Sequence, residues 1–258
     1  MVSEICYNEN FNDLVNFINK HSIKQLYVSD SLIHLKSRFL NKYSLVDYNN
    51  KNEPCIFFGV YMPKDYKIIL QHNTNNIFVM FGGSDLPNIR KIKINNNITY
   101  ISISENMKKR LNDINYKSIL VDLNLVDNTL FKPVSLIERG NKIFVYNGIR
   151  KKFDNDIIYN QKIIDEIIKK IPEYHFIFSN ELNAPYEKMP EIYSKCFIGL
   201  RLTDNDGNAN MVQEMNAMNI PVVHNHNVYG LKWKTIEDVI NYIHNHYKIL
   251  LQAKLDYI

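Results

Sequence analysis

Glycine is scarce in this chain, with 8 residues in 258, and cysteine scarcer still at 3. Cys6, Cys55 and Cys196 are odd in number and far apart, which excludes both a disulfide framework and the paired spacing of a structural zinc site. They read as reduced, mostly buried thiols. Long apolar runs are also missing. No stretch approaches the roughly 18 to 20 residues that span a bilayer, and "MVSEICYNEN" has neither the basic nor the apolar region of a secretory signal. The expectation is a soluble, cytoplasmic protein with no transmembrane segment. A strong excess of either charge is lacking too: 31 Lys and Arg against 27 Asp and Glu leave a formal +4. Scattered lysines with small clusters at Lys108, Lys109, Arg110 and at Arg150, Lys151, Lys152 suit solvated faces and would tolerate an anionic substrate, but they do not call for nucleic acid. The 17 tyrosines and 13 phenylalanines are not arranged as an RNA-binding platform.

What is present is a globular composition, 45% hydrophobic, in short β-rich runs separated by helical patterns. That alternation is the signature of α/β units with parallel strands. Candidate strands are "KQLYVS", "CIFFGVY", "YKIIL", "NIFVMF", "ITYISI" and "KSILVDL" in the first half, then "KIFVYN", "HFIFSN", "CFIGLRL" and "IPVVHN". The spacing of Ile157, Ile158, Ile163, Ile164, Ile167, Ile168 and Ile171 predicts one helix over "IIYNQKIIDEIIKKI", its isoleucines serving core packing. A polar stretch with proline and glycine, "DNTLFKPVSLIERGNK", suggests a join near residues 130–142. The expected organisation is a first domain over 1–138, a second over 139–234, and a C-terminal helix over 235–258 packing back across the join. Thr235 with Asp238 supplies a capping box for that helix.

The chemistry concentrates in "RLTDNDGNANMVQEMNAMNIPVVHN", residues 201 to 225. Asp206 stands in a loop after a strand, Gly207 permits a sharp turn, and "ANMVQEMNAMN" reads as a helix before the next strand. At the C-terminal edge of a parallel sheet, such a loop faces the ligand crevice, and the amides at the following helix N-terminus, near Gly207, Asn208 and Asn210, suit a phosphate. Glu214 is placed to lie on the same side and accept hydrogen bonds from the vicinal hydroxyls of a ribose. His72, His175 and His224 lack ligand spacing; His224, ending a strand near the crevice, is the best placed.

The segment "YSKCFIGLRLTDNDGNANMVQEMNAMNIPVVHN" resembles the donor-binding segment of GT-B glycosyltransferases, especially the large retaining group that includes sucrose-synthase-like and lipopolysaccharide or capsule transferases. That segment has an acid, seven residues, a second acid, then a small-residue and Pro-Val-Val ending, a spacing that Asp206 and Glu214 reproduce. The resemblance implies an α/β protein of the GT-B fold, two Rossmann-like domains facing a cleft, acceptor side first and donor side second. It implies that Asp206, where the group usually has Glu, contacts the donor sugar and that Glu214 binds the nucleotide ribose. "KIFVYNGIRKK" is similar to the opening of the donor domain, where Arg150 with Lys151 or Lys152 would neutralise the diphosphate, although the group's spacing is wider. "FVMFGGSDL" looks like the acceptor-domain loop that reads His-Gly-x-Asp, with Gly82 or Gly83 in place of His and with Asp85 as its acid. Asp85 read by itself is a cap for "LPNIRK". The Gly-rich loop after the first strand is absent from "YVSDSLIHLK", so the acceptor half is reduced.

The expected activity is transfer of a hexose-type sugar from a nucleoside-diphosphate sugar to a hydroxyl of a glycan or other acceptor, in glycan or polysaccharide synthesis. It needs no cofactor beyond the donor and no metal, with Asp206 and Asp85 as catalytic acids and retention implied by the resemblance. Glu214, Arg150, Lys151, Gly207, Asn208, Asn210 and Gly83 are the donor-binding set. Three alternatives stay open. Asp204-Asn205-Asp206 after an apolar strand has the form of a metal-binding Asp-x-Asp holding a diphosphate through a divalent ion. A nucleotide-sugar epimerase would use the same fold without an acceptor, and a noncatalytic subunit would keep the fold without turnover.

Overall fold

The computed structural model describes residues 12–73, 76–92, 98–148, 155–204, 206–226 and 229–257. They divide into two compact units, one ending at Leu125 and the other beginning at Val126. The division falls ahead of residues 130–142 because Val126 and Phe131 are buried with Tyr193, Met215 and Met218 in the second unit's core.

The first unit runs β1 (Asn12–Asp13), α1 (Leu14–Lys20), β2 (Gln25–Val28), α2 (Lys36–Tyr43), β3 (Val46–Asp47), β4 (Cys55–Phe58), α3 (Pro63–Leu70), β5 (Ile77–Met80), α4 (Ile89–Ile92), β6 (Ile98–Ser102), α5 (Glu105–Asp113) and β7 (Ser118–Asp122). Its sheet has the order β1-β7-β6-β5-β4-β2-β3, and every pairing in it is parallel. β2, β4 and β5 are buried at every position, as expected of strands covered on both faces. The run "YKIIL", predicted as a strand, is instead part of α3. Pro63 opens that helix, where its missing N–H costs nothing. Asp65 takes the amides of Tyr61 at 2.9 Å and Met62 at 2.7 Å, and its carboxylate also accepts from the Tyr27 hydroxyl at 2.6 Å and Ser29 Oγ at 2.8 Å. The isoleucines that suggested a strand serve a helix face, with Ile69 fully buried.

The second unit runs β8 (Lys142–Val145), α6 (Asn155–Ile158), α7 (Gln161–Lys170), β9 (His175–Phe178), α8 (Met189–Ser194), β10 (Cys196–Leu200), α9 (Asn210–Ala217), β11 (Val222–Val223) and α10 (Ile236–Leu255). The four strands are parallel in the order β11-β10-β8-β9. Alternation along β8 builds a core on each face. Ile143 and Val145 join the cluster of Ile164 and Ile167 from α7 with Val239 and Ile243 from α10, while Phe144 joins Tyr193 from α8 and Val212 and Met215 from α9. The single helix predicted over 157–171 is broken at Asn160, which adopts a left-handed conformation (φ 51°) that asparagine tolerates better than most residues. Ile157 and Ile158 are consequently exposed. α10 begins at the predicted capping box of Thr235 and Asp238 and packs within this unit on β10 and α7, with Lys254 Nζ donating to the Arg139 carbonyl at 2.7 Å.

The strand order places a topological switch point in this sheet. The chain leaves β8 for β9 on one side and returns to place β10 on the other, so the connections diverge between β8 and β10, the arrangement that opens a crevice at the C-terminal ends of parallel strands.

Close packing at the opposite end of β8 generates a stability prediction. A Cβ on Gly140 would stand 2.1 Å from the Lys195 carbonyl oxygen, and that oxygen belongs to backbone that cannot swing aside. Gly140→Ala is expected to destabilise the protein by about 1 to 3 kcal/mol or more. A urea transition whose midpoint is unchanged would contradict this.

Candidate functional site

Tyr146 directly follows β8 and Arg201 directly follows β10, so both sit where the connections diverge. The main-chain ladder continues through them: Tyr146 N donates to Leu200 O at 2.9 Å and Arg201 N to Val223 O at 3.0 Å. The Arg201 guanidinium carbon lies 4.1 Å from the centre of the Tyr146 ring and 5.5 Å from that of Tyr159, within cation–π range. Those two rings meet edge to face at 5.3 Å. Burial pushes the Tyr159 hydroxyl up to about 12, so that ring stays neutral at ordinary pH.

Asp206 closes on this platform. Its Oδ2 takes the Arg201 Nε–H, and its Oδ1 accepts from the Gly207 amide at 2.8 Å. Burial works against the charged carboxylate, but the Arg201 charge and hydrogen bond, helped by the Gly207 amide, outweigh it and hold Asp206 below the usual aspartate value. Burial likewise opposes the charge on Arg201, and Asp206 more than offsets it. Asp206 is therefore an ionised acid fixed in direction by its partner.

His224, the histidine singled out from the sequence, is fully buried beside the pair. Its Nδ1 lies 3.0 Å from the Arg201 carbonyl, and its Nε2 lies 3.9 Å from Asp206 Oδ2, beyond hydrogen-bonding range. Burial lowers this histidine to about 4, so the ring is neutral, and Nδ1 is the proton-bearing nitrogen that donates to the carbonyl. Its Nε2 and the buried Thr203 Oγ1 are enclosed without a hydrogen-bond partner among the described residues. Gly230 is required at its position because a Cβ there would fall 2.2 Å from the His224 carbonyl oxygen.

Glu214 lies in the second turn of α9, 5% exposed, and its Oε2 accepts from the Tyr193 hydroxyl at 3.1 Å. Burial and the neighbouring Glu214 keep Tyr193 well above its ordinary value, so it remains a donor. Asp206 and Glu214 thus belong to one strand, loop and helix, each held by its own partner. Asp204 is exposed and accepts from Asn160 Nδ2 at 3.0 Å, so it and Asp206 are engaged by different groups. No cluster of three or more potential metal ligands occurs among the described residues.

The other expected site residues are placed as follows. The Gly207 amide is occupied by Asp206. Asn208 Oδ1 accepts from Gln213 Nε2. Asn210 is the first residue of α9, whose N-cap, Ala209, brings no side-chain bond. Arg150, Lys151 and Lys152 lie outside the described residues. In the first unit Asp85 is fully buried and does not cap the turn that follows it. Its Oδ2 accepts from Val60 N at 2.7 Å and its Oδ1 from Gly83 N at 2.9 Å. Burial raises its carboxyl despite those amides. Gly83 has φ 129°, with open space where a Cβ would be. The residues that sequence reading missed are Arg201, Tyr146, Tyr159 and Tyr193. The one signal available was an arginine interrupting the apolar run "CFIGLRLT" five residues ahead of Asp206.

No family model matches the sequence, and no curated protein matches it. Among solved structures, a sucrose-phosphate synthase from Thermosynechococcus elongatus is similar over 86% of this chain and 69% of that one, with a TM-score of 0.50 and 10% sequence identity. At that identity the likeness is one of fold: it supports a GT-B-like α/β architecture and assigns no family. No helix among the described residues is long and apolar enough to cross a membrane.

The buried histidine makes stability depend on pH in a defined window. Unfolded, His224 binds its proton near 6.5, whereas folded it resists protonation down to about 4. Its contribution is complete above 6.5 and disappears as pH falls to about 4. Asp206 adds a second loss further down, below the ordinary aspartate value. Urea titrations stepped from pH 6.5 to 4 should lose on the order of 3 kcal/mol. In His224→Gln that loss should shrink while the more acidic one remains; an unchanged profile would count against the assignment.

Proposed function

We propose that the chain is a glycosyltransferase of hexosyltransferase type, moving a sugar from a nucleoside-diphosphate sugar to a hydroxyl of a glycan or other acceptor. The observation that carries this reading is the ionised Asp206, fixed by Arg201 where the strand connections diverge, eight positions before Glu214 on the same strand-loop-helix unit. The GT-B-like fold shared with a sucrose-phosphate synthase supports the reaction class.

In this reading Asp206 accepts hydrogen bonds from hydroxyls of the transferred sugar. As the bond to the diphosphate breaks, positive charge grows on the sugar ring, and a fixed carboxylate nearby stabilises it more than it stabilises the resting donor. Glu214, oriented by Tyr193, accepts from the ribose hydroxyls. Positive groups meet the charge of the departing diphosphate, Arg150 and Lys151 among them by the sequence resemblance, and the anomeric carbon bonds to the acceptor oxygen with its configuration retained, the hydroxyl proton passing to the departing diphosphate. No metal is required: Asp206 is committed to Arg201 and Asp204 to Asn160, which supports the metal-free reading over the Asp-x-Asp one. Asp85 is left out of this chemistry: it is fully buried, and its carboxylate holds the amides of Val60 and Gly83, whereas the Asp206 side chain keeps 15% of its surface exposed.

The test is release of nucleoside diphosphate coupled to sugar transfer across a panel of donors and acceptors. Glu214→Gln, which keeps an acceptor for Tyr193, should weaken nucleotide binding by about 1 to 3 kcal/mol. Asp206→Asn should lower sugar-dependent turnover more than affinity for the bare nucleotide; equal losses would reassign it. Excess EDTA should leave transfer intact. Loss on chelation that manganese rescues, with equal dependence on Asp204, would restore the metal-dependent alternative.

A further inference from the structure

Only part of the Arg201 guanidinium is used within the protein. Its Nε edge is committed to Asp206 and its face to Tyr146 and Tyr159. Its two Nη groups have no hydrogen-bond partner among the described residues. The side chain is 12% exposed, so the guanidinium is a largely enclosed, immobilised group with two donors left to offer. A guanidinium fork held in this way matches the paired oxygens of a phosphate, and stacking on aromatic rings fixes its plane before any ligand arrives. Its position is the crevice that parallel sheets offer to nucleotides.

We propose that Arg201 is a phosphate-binding residue that takes the diphosphate of the donor nucleotide on its Nη edge; the proposal rests on the nucleotide-sugar reading given above. One guanidinium then links the two reacting parts of the donor. Its Nε side orients the acid that faces the sugar, and its Nη side holds the phosphates that leave. Asp206 also explains why a charge buried this deeply is tolerated: the pair is neutral by itself. The uncapped start of α9 adds main-chain donors on the same loop.

Titration calorimetry with UDP, GDP and ADP, each against its parent nucleoside, reads the contribution of the phosphates. Wild type should bind one diphosphate far better than its nucleoside. Arg201→Lys, which keeps the charge and loses the fork, should weaken that diphosphate by about tenfold or more while changing the nucleoside by less than about twofold. If the lysine variant fails to fold, Arg201→Met combined with Asp206→Asn removes both charges together, and the same selective loss is expected. Equal losses for diphosphate and nucleoside, or no loss in either variant, would overturn the phosphate role and leave the nucleotide reading standing. A wild-type protein that binds none of the three diphosphates would overturn both.

Discussion

The second unit is organised around one constraint, a guanidinium that must be neutralised inside a protein. Arg201 follows a strand in which every residue is buried, and with its own side chain only 12% exposed, solvent screens its charge poorly. Removing one member of a buried pair typically costs about 3 to 5 kcal/mol. The loop after β10 is therefore obliged to return a carboxylate to the guanidinium, and Asp206 does so with help from the Gly207 amide. Tyr146 and Tyr159 form the wall on which the cation rests, and the carbonyl of Arg201 fixes the tautomer of His224. Loop geometry, the aromatic wall and the tautomer of the histidine all follow from placing this arginine at the end of β10.

Much of the fold was legible in the sequence because strands buried on both faces read as continuous apolar runs. β2, β4 to β11 all lie within predicted runs, and the Thr235 and Asp238 capping box marked the start of the longest helix. The failures have local causes. "YKIIL" has strand composition, but Pro63 and the amide-capturing carboxylate of Asp65 impose a helix, a tertiary and capping effect that a short apolar run does not reveal. Asn160 breaks a helix whose isoleucine spacing looked continuous. The two-residue strands β1 and β3 read Asn-Asp and Val-Asp and so form no apolar run, unlike the equally short Val-Val of β11.

The candidate site was legible in part. The acids Asp206 and Glu214 stand out by type and spacing, and His224 by its place at a strand end. Their partners do not. Arg201 and Tyr193 act through contacts across 5 and 21 positions, and the Tyr146 and Tyr159 rings reach Arg201 from a different strand and connection. Nothing in a linear pattern signals that a tyrosine will serve as a platform rather than as core. Asp85 shows the converse, since its loop resembled an acceptor site while its carboxylate is consumed in holding that loop together.

The carboxylates of Asp65 and Asp85 give the first unit a character of its own. Between them they occupy the amides of Val60, Tyr61, Met62 and Gly83 and the hydroxyls of Tyr27 and Ser29, at the C-terminal ends of β2, β4 and β5. These are the kinds of donors with which a Rossmann-like sheet ordinarily greets a phosphate. Here the protein has supplied its own acids to the cradle. The donors at that edge are therefore already answered from within, by carboxylates the protein carries itself.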